Sequence, residues 1–538
     1  MLEEIIESVG SSGKFQWMTV MLIMSCKSVM SLSMLMMAYG GLVPDWWCYP
    51  EDEKSVSVAP LNSSSHYYQV CNETSVCSRN YEADTKTVVS KFDLVCENTW
   101  IKPTVTAVQM GGVLVGALIG GQSGDVFGRK KTIYTAILLH SIFNIIVAFS
   151  VNWQMFAAFR FLIGGCIGTF LVSVVYPLEF IGRKHRAVVS AIPFWTTGLI
   201  LLALASYLIR DWKILHIGLG VVSSPYLLGW FVVPESLRWL STKDRIEEAK
   251  EILDKIARFN GTKVPENAED VLRKVAEMEK KKNRTEKKYT YLDIYKGFPM
   301  LKKSLCIQLI WFSCSTTSYG LSFGISTFSG NFYLNFFLMS VTELTTYFPT
   351  IYCLEKIGRR YTCAGALFLA AASCITALII QAVNDVSKSS MITGVSLLAK
   401  ILTGSAWASL VVLSNESYPT VIRSLGYGAA NTMARIGGIL APFIFSLGSN
   451  RMIPYIIMAV LLVSSGICAL LQKETRGLAL EDLIETVAEE NERKDRKKSS
   501  IYNISSESNG TISQVGEQIN SLSQNTNTKS INEISTQM

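Results

Sequence analysis

Apolar stretches long enough to cross a membrane constrain the fold of this 538-residue chain more than any other feature. A hydrocarbon core of about 30 Å needs roughly 20 apolar residues in a helix, and twelve stretches meet that need. Helices are predicted rather than barrel strands, because each run is continuous and lipid offers no partner for unpaired backbone groups. We therefore expect an all-α membrane protein. The predicted spans are residues 15–37, 104–122, 131–150, 154–176, 187–209, 214–233, 304–325, 331–352, 361–382, 391–414, 425–447 and 453–471.

The distribution of lysine and arginine predicts the orientation of these spans. Basic residues concentrate in the short connections after the second, fourth, eighth and tenth spans, whereas those after the third, seventh and ninth have few. Because basic loops stay on the cytoplasmic side, both termini are expected in the cytoplasm. The net charge of +7 is explained by this topology, so we expect no nucleic-acid partner.

A charged insert and a polar tail divide the chain into regions. The insert contains an amphipathic run from Asp244 to Phe259, with Ser241 in the spacing of a capping box. The tail is rich in Ser, Asn and Gln, a composition that does not build a core. The predicted regions are a cytoplasmic N-terminus (1–14), an N-terminal six-helix bundle (15–233), a cytoplasmic helical insert (234–303), a C-terminal six-helix bundle (304–471) and a cytoplasmic, largely disordered tail (472–538).

The polar segment 44–103, between the first two spans, is predicted to be an extracellular loop. It holds four of the twelve cysteines, and the other eight lie in apolar stretches. Four loop cysteines indicate two disulfides in an oxidising compartment, with three pairings open. Two sequons are expected to be glycosylated on that side. The residues are Cys48, Cys71, Cys77 and Cys96 for disulfides, and Asn62 and Asn72 for glycans.

The two halves of the chain contain related motifs. Residues 124–130 read Gly-Asp-Val-Phe-Gly-Arg-Lys, and residues 355–360 read Glu-Lys-Ile-Gly-Arg-Arg at the matching place. Arg160 and Gly164 have counterparts in Lys400 and Gly404. This repeat resembles the major facilitator superfamily, which implies two six-helix bundles that rock about a substrate site near the midplane. Arg160 and Lys400 are expected to be structural ties.

Acidic and basic residues alternate in the predicted cytoplasmic connections. The positive-inside rule explains the bases but not the interleaved acids. We therefore expect a charge network whose pairs form in one transport state and part in the other. Its predicted members are Asp125, Arg129, Lys130, Glu179, Arg183, Glu235, Arg238, Glu355, Arg359, Arg360, Glu416 and Arg423.

Further motifs narrow the resemblance. Residues 234–240 (Pro-Glu-Ser-Leu-Arg-Trp-Leu) resemble the signature of sugar and organic-ion porters. Residues 44–48, 92–100 and 182–186 resemble the solute-carrier family of organic cation, organic anion and carnitine-type zwitterion transporters. Relatives typically carry six cysteines in the extracellular loop, and this chain has four. The resemblance implies a plasma-membrane carrier of small organic ions, working together with the lipid bilayer and with either a coupling ion or a counter-substrate.

Two charged residues lie inside predicted spans, where a charge costs about 2.5–3.5 kcal/mol on insertion scales. Arg435 lies midway along the eleventh span and Glu343 lies within the eighth. In relatives, the position of Arg435 is acidic in many cation carriers and arginine in anion and carnitine carriers. A guanidinium can grip a carboxylate through two hydrogen bonds. The alternative is an Arg435–Glu343 pair that only fixes helix packing.

Aromatic residues are candidates for the walls of the substrate site, where cation–π contact contributes about 0.5–2 kcal/mol. A single aromatic residue in a span more often faces lipid or packs in a core. The resemblance favours Phe170, Trp311 and Tyr319 as residues that line the site. Glu343 is expected to receive the cationic end of a zwitterion. The candidates are Phe170, Trp195, Trp311, Phe312 and Tyr319.

These observations predict a transporter that works by alternating access on organic anions or carnitine-like zwitterions. A polyspecific organic cation transporter and a non-transporting substrate sensor on the same scaffold are the alternatives. Metal-ligand spacings, a nucleophile elbow and phosphate-binding glycine loops are missing from the sequence. We therefore expect no enzyme activity, metal or cofactor. His140 stands alone on the third span, too few partners for a proton relay.

Overall fold

The computed structural model describes residues 2–10, 12–50, 68–69, 71, 77–173, 176–182, 185, 189, 192–285, 290–383, 389–419, 421–447 and 452–476. Within these ranges the regular elements are helices, apart from one two-stranded ribbon. The ribbon pairs Trp46–Pro50 antiparallel with Cys77–Tyr81. It marks the end of the molecule that we call the loop face.

Twelve helices of the described chain coincide with the twelve predicted spans. Helix α1 continues past a break at Leu35 as Met36–Gly40, α6 continues to Val232, and α8 continues as Tyr347–Lys356. The helices are α1 (Lys14–Met34), α2 (Ile101–Val126), α3 (Arg129–Val147), α4 (Trp153–Ser173), α5 (Phe194–Ile209), α6 (Trp212–Ser223), α7 (Phe298–Phe323), α8 (Phe332–Thr345), α9 (Arg359–Ala382), α10 (Ser389–Ser417), α11 (Arg423–Ile444) and α12 (Ile453–Leu470).

Seven of these twelve helical segments are both long and apolar enough to cross a membrane by length and composition alone. They are the segments built on α1, α2, α4, α6, α9, α10 and α12. The other five are shorter or carry charged and polar residues, as α5 has 16 residues and α11 carries Arg435. In a bundle, such helices are covered by their neighbours, so their polar residues need not face lipid.

The buried apolar residues form two main cores, and α8 contributes Phe336 and Met339 to the core of the N-terminal bundle. One core combines α1 to α6 with the helices near residues 246–276, and the other combines α7 with α9 to α12. Glycines bring α2 and α4 into backbone contact. A Cβ on Gly112 would lie 2.1 Å from the Phe161 carbonyl oxygen, and one on Gly116 would lie 2.0 Å from that of Gly165. The small residues therefore set the spacing of these two helices.

The insert helices Ile246–Asn260 and Ala268–Thr285 mark the opposite end, which we call the insert face. The first begins two residues later than predicted, because Asp244 has a φ of +63° and cannot open it. Thus the predicted capping box is wrong, and Arg245 occupies the N-cap without a side-chain bond. Asn260 then ties the N-terminal segment to the insert. It accepts from the Phe15 amide at 3.1 Å and donates to the Val9 carbonyl at 3.1 Å.

The loop-face ribbon carries part of the predicted disulfide set. Cys71 is bonded to Cys96, and Cys48 is also disulfide-bonded. Of the three pairings that four cysteines allow, this bond is compatible with one, in which Cys48 pairs with Cys77. The eight remaining cysteines are free. The sequons at Asn62 and Asn72 lie outside the described residues.

Candidate functional site

Helix α11 holds Arg435 against α7. Gly437 allows the close approach, since a Cβ there would lie 2.6 Å from the Phe312 carbonyl oxygen. The Ser315 hydroxyl also donates to the Ala434 carbonyl and fixes the register of the two helices. Arg435 is half-buried. The sequence therefore places this guanidinium at the junction of two helices of the C-terminal bundle.

The Arg435 guanidinium has polar neighbours but no ion pair. Its Nε atom is buried without a hydrogen-bond partner. The Tyr319 hydroxyl lies beside this side chain, where the charges of Arg435 and Glu343 both act on it. The charge of Arg435 also acts on Tyr427. Across the described ranges, no carboxylate lies within salt-bridge distance of Arg435. Its positive charge is therefore uncompensated by the protein around it.

Glu343 is paired with a different cation. Its Oε1 lies 3.1 Å from Nζ of Lys400, whose side chain is 5% exposed. Lys400 also donates to the Ser318 hydroxyl at 2.7 Å and to the Ser322 hydroxyl at 3.0 Å. The second carboxylate oxygen accepts from Thr196 of α5 at 3.4 Å, across the boundary between the bundles. Lys400 thus ties α10 to α7 and neutralises Glu343, a partnership that the sequence did not indicate.

The five predicted aromatic residues divide into two groups. Phe312, Tyr319 and Trp195 are partly exposed. Phe170 is fully buried in the N-terminal core, and Trp311 is 2% exposed. In this conformation the three partly exposed residues are available to a ligand, whereas Phe170 and Trp311 pack within the bundles.

Trp311 belongs to an aromatic cluster in the C-terminal bundle. Its indole donates to Ser414 at 2.8 Å, and its ring meets Trp407 and Tyr427 edge-on at 5.4 and 5.2 Å. Sequence reasoning missed both partners. The sequence could have indicated Trp407, because it lies two helical turns after Lys400 and therefore on the same face of α10.

Charged residues on the insert face pair within the N-terminal bundle. Arg129 lies 2.7 Å from Asp125. Glu235 accepts from the backbone N–H of Lys130 at 3.0 Å, and Glu179 accepts from the Ser236 hydroxyl. The exposed Arg238 acts on Glu179 through its charge. The structure thus brings most of the predicted N-terminal set together, whereas Arg183 lies outside the described residues.

The C-terminal bundle repeats this arrangement. Arg359 lies 3.1 Å from Glu416, and Glu474 accepts from the backbone N–H groups of Arg359 and Arg360 at 2.9 and 3.1 Å. Glu235 and Glu474 therefore occupy matching places, at the N-termini of α3 and α9, where a carboxylate is favoured by the helix dipole. Two further predicted residues stand apart from these pairs. Glu355 is exposed, and Arg423 donates to the Tyr418 carbonyl at 3.3 Å.

A buried polar network in the N-terminal bundle was not predicted. Asn144 bridges two fully buried histidines, contacting Nε2 of His140 and Nδ1 of His216 at 3.1 Å each. Arg160 donates to the Ser33 carbonyl at 3.3 Å, beside the break in α1. His140 is therefore not isolated, because α3 and α6 bring the two histidines together. Arg160 acts as a tie, as the sequence suggested.

Known proteins resemble the chain over most of its length. A family model described as "Sugar (and other) transporter" matches residues 57–486. The chain is 31% identical to "Solute carrier family 22 member 4" of Mus musculus, over 78% of this chain and 75% of that one. It is 30% identical to the Homo sapiens "Organic cation/carnitine transporter 2", over 76% and 73%. It is 31% identical to the "Organic cation transporter protein" of Drosophila melanogaster, over 82% and 83%.

Solved structures share the architecture. The partially occluded, inward-open form of the xylose transporter XylE from E. coli matches with a TM-score of 0.59 at 18% identity, covering 86% of this chain and 99% of that one. The same transporter, a major facilitator superfamily proton:xylose symporter, matches in its complex with a bromo-deoxyglucose with a TM-score of 0.56. At such identities the similarity establishes the fold, and it confirms the predicted twelve-helix architecture.

Proposed function

This chain belongs to solute carrier family 22, a family of membrane transporters, and we propose that its substrates are small organic ions that carry a carboxylate. The family membership makes it a transporter of the major facilitator superfamily and not an enzyme. Organic anions and carnitine-like zwitterions are the proposed classes. Alternating access between the two bundles is the proposed mechanism.

The uncompensated charge of Arg435 carries this proposal. Lys400 neutralises Glu343 at 3.1 Å, so the protein's own carboxylate in this region is already engaged. A substrate carboxylate would supply the counter-charge that Arg435 lacks, through two parallel hydrogen bonds in a site of low dielectric. The partly exposed Tyr319, next to Arg435, would add a hydroxyl to the same anion.

The cationic end of a zwitterion has a proposed place as well. The charge of Glu343 acts on the same tyrosine, so the carboxylate lies near Arg435, and a substrate ammonium could compete with Lys400 for it. An organic cation without a carboxylate is the second candidate, because relatives bear that name and partly exposed aromatic residues lie nearby. It would have to tolerate the repulsion of Arg435, so we rank it lower.

The packing of the bundles supports alternating access. At the loop face, Tyr39 of the α1 extension lies 6.5 Å from Tyr333 of α8 between ring centroids, and Tyr207 of α5 lies 5.5 Å from Tyr333. At the insert face, the Asp125–Arg129 and Arg359–Glu416 pairs each join residues of the same bundle. We propose that the loop face is extracellular and the insert face cytoplasmic, with both termini in the cytoplasm. The molecule would then be inward-facing in the plasma membrane.

Uptake by cells that express Arg435→Gln tests the proposed substrate class. The variant is expected to reach the cell surface and to lose most uptake of carnitine and of an organic anion, because its amide cannot form a charged pair. Arg435→Lys is the matched control and should keep part of the uptake, since it retains the charge without the fork geometry. Full carnitine uptake by a surface-expressed Arg435→Gln protein would refute the proposal.

A further inference from the structure

A small cavity lies between the two bundles at the loop face. Its volume is about 50 Å³, and its walls come from the α1 extension, α2, the end of α7 and α11. Pro442 of α11 is one of the lining residues. It follows Arg435 by seven residues, about 10.5 Å along the helix and on the same face. The cavity is therefore a place separate from the proposed substrate site.

Lys102 of α2 brings a positive charge to this cavity. Its Nζ donates to the Ser326 hydroxyl at 3.3 Å, a bond that joins the N-terminal bundle to the C-terminal one. The stem of the side chain passes over Gly41, where a Cβ would lie 2.7 Å from Cε. None of the lining residues is acidic, and over the described ranges no carboxylate forms a salt bridge with Lys102. The charge between these helices therefore lacks a counter-ion from the protein.

The cavity also offers a hydrogen-bond donor beside that charge. Ser326 accepts from Lys102, and its own hydroxyl hydrogen has no acceptor among the described residues. A cavity holds a water once about 10–15 Å³ is accessible to it, so about 50 Å³ accommodates a particle of a few water volumes. Drug-sized ligands need roughly 300 Å³ or more. An organic substrate is thus too large for this space, whereas a halide fits it.

We propose that this cavity binds a small inorganic anion of chloride size, which the Lys102 ammonium and the Ser326 hydroxyl both contact from one side. Both bundles build its walls, so the site is complete only when the loop face is closed. An anion that binds this state alone stabilises it by mass action. Chloride would then favour the inward-facing conformation. This inference does not depend on the class of organic substrate.

Thermal unfolding of the purified full-length protein tests the anion site. Midpoints are measured in sodium chloride and in sodium gluconate at equal ionic strength, because gluconate is too large for the cavity. Chloride should raise the midpoint of the parent protein with a saturating dependence on concentration, and Lys102→Met and Lys102→Gln should lose that shift. Lys86→Met is the matched control, since Lys86 is 70% exposed on the same face and its removal should leave the chloride shift intact.

Each outcome decides the proposal. A parent protein that unfolds at the same temperature in both salts, or Lys102 variants that keep the full shift, would overturn it. A shift lost in Arg435→Gln but kept in Lys102→Met would place the anion at the substrate site and overturn the cavity assignment. If both Lys102 variants fail to fold, Ser326→Ala serves instead. A weaker chloride shift in that variant supports the site, and an unchanged shift overturns it.

Discussion

Arg435 and Lys400 carry the same charge in the same bundle, and their surroundings give them different roles. Lys400 is 5% exposed and is satisfied by Glu343 and two serine hydroxyls. Arg435 is half-buried and keeps an unpartnered Nε. A cation that is fully satisfied holds helices together, whereas one that lacks an anion is suited to receive one. Lys400 therefore has a structural role, and Arg435 is the cation that we propose binds the substrate.

Lys400→Met should destabilise the protein through Glu343. Removing one partner of a buried ion pair leaves the other charge unpaired, which typically costs about 3–5 kcal/mol. The double variant Lys400→Met with Glu343→Leu removes both charges and should recover much of that loss. Unfolding midpoints of the parent, both single variants and the double variant form the cycle. A double variant no more stable than Lys400→Met would show that the pair at 3.1 Å does not bear on stability.

At the scale of elements, the motifs shared by the two halves lie where helices α3 and α9 begin. Gly128 and Gly358 precede α3 and α9 with φ values of +111° and +106°. A Cβ would lie 2.4 Å from a Glu235 oxygen at the first and 2.6 Å from a Glu474 oxygen at the second. Glycine is needed at both places because it permits this backbone and leaves room for the carboxylate. The repeated sequence therefore encodes a capped turn in each bundle.

Gly358→Ala should destabilise the C-terminal bundle by about 1–3 kcal/mol, because the substitution combines backbone strain with a clash against Glu474. Gly365→Ala is the matched control on the same helix, since a Cβ there meets nothing within 4 Å. Its midpoint should equal or exceed that of the parent. Surface abundance and thermal unfolding of both variants give the comparison. Equal behaviour of the two variants would contradict this account of the cap.

A second glycine pair tests the contact between α2 and α4. Gly116→Ala puts a Cβ 2.0 Å from the Gly165 carbonyl oxygen, so the helices must separate, whereas Gly111→Ala meets nothing within 4 Å. Gly116→Ala should lower the amount of folded protein sharply, and Gly111→Ala should leave it unchanged. Size-exclusion profiles of the two proteins measure this difference. A monodisperse Gly116→Ala protein in normal yield would show that the backbone contact is dispensable.

The elements were largely predictable from the sequence, because apolar runs of membrane length depend on local composition. The twelve spans follow from such runs, the repeat follows from the matching motifs of the two halves, and the insert follows from its charged composition. The break in α8 at Thr346 was not predicted, since hydropathy does not report a backbone change. Likewise, the Glu343–Lys400 pair and the His140–Asn144–His216 bridge depend on how separate helices are rotated against each other. The hydropathy of consecutive residues contains no information on that rotation.

At the scale of the whole molecule, the two bundles make different contacts at their two ends. Aromatic rings and the Lys102–Ser326 bond join them at the loop face. At the insert face, the Asp125–Arg129 pair stays within the N-terminal bundle and the Arg359–Glu416 pair within the C-terminal one. Rigid bundles that touch at one end and part at the other are what alternating access requires. On this account, the charge network changes partners when the insert face closes.

The central claim is that Arg435 binds the carboxylate of the substrate. The most direct test compares the binding of carnitine with that of its uncharged carboxamide, which has nearly the same shape, in the parent protein and in Arg435→Gln. A hydrogen bond to a charged group is worth about 1.5–3 kcal/mol, so the parent should prefer the carboxylate roughly 10- to 150-fold. Arg435→Gln should bind both compounds about equally. The same carboxylate preference in both proteins would contradict the claim.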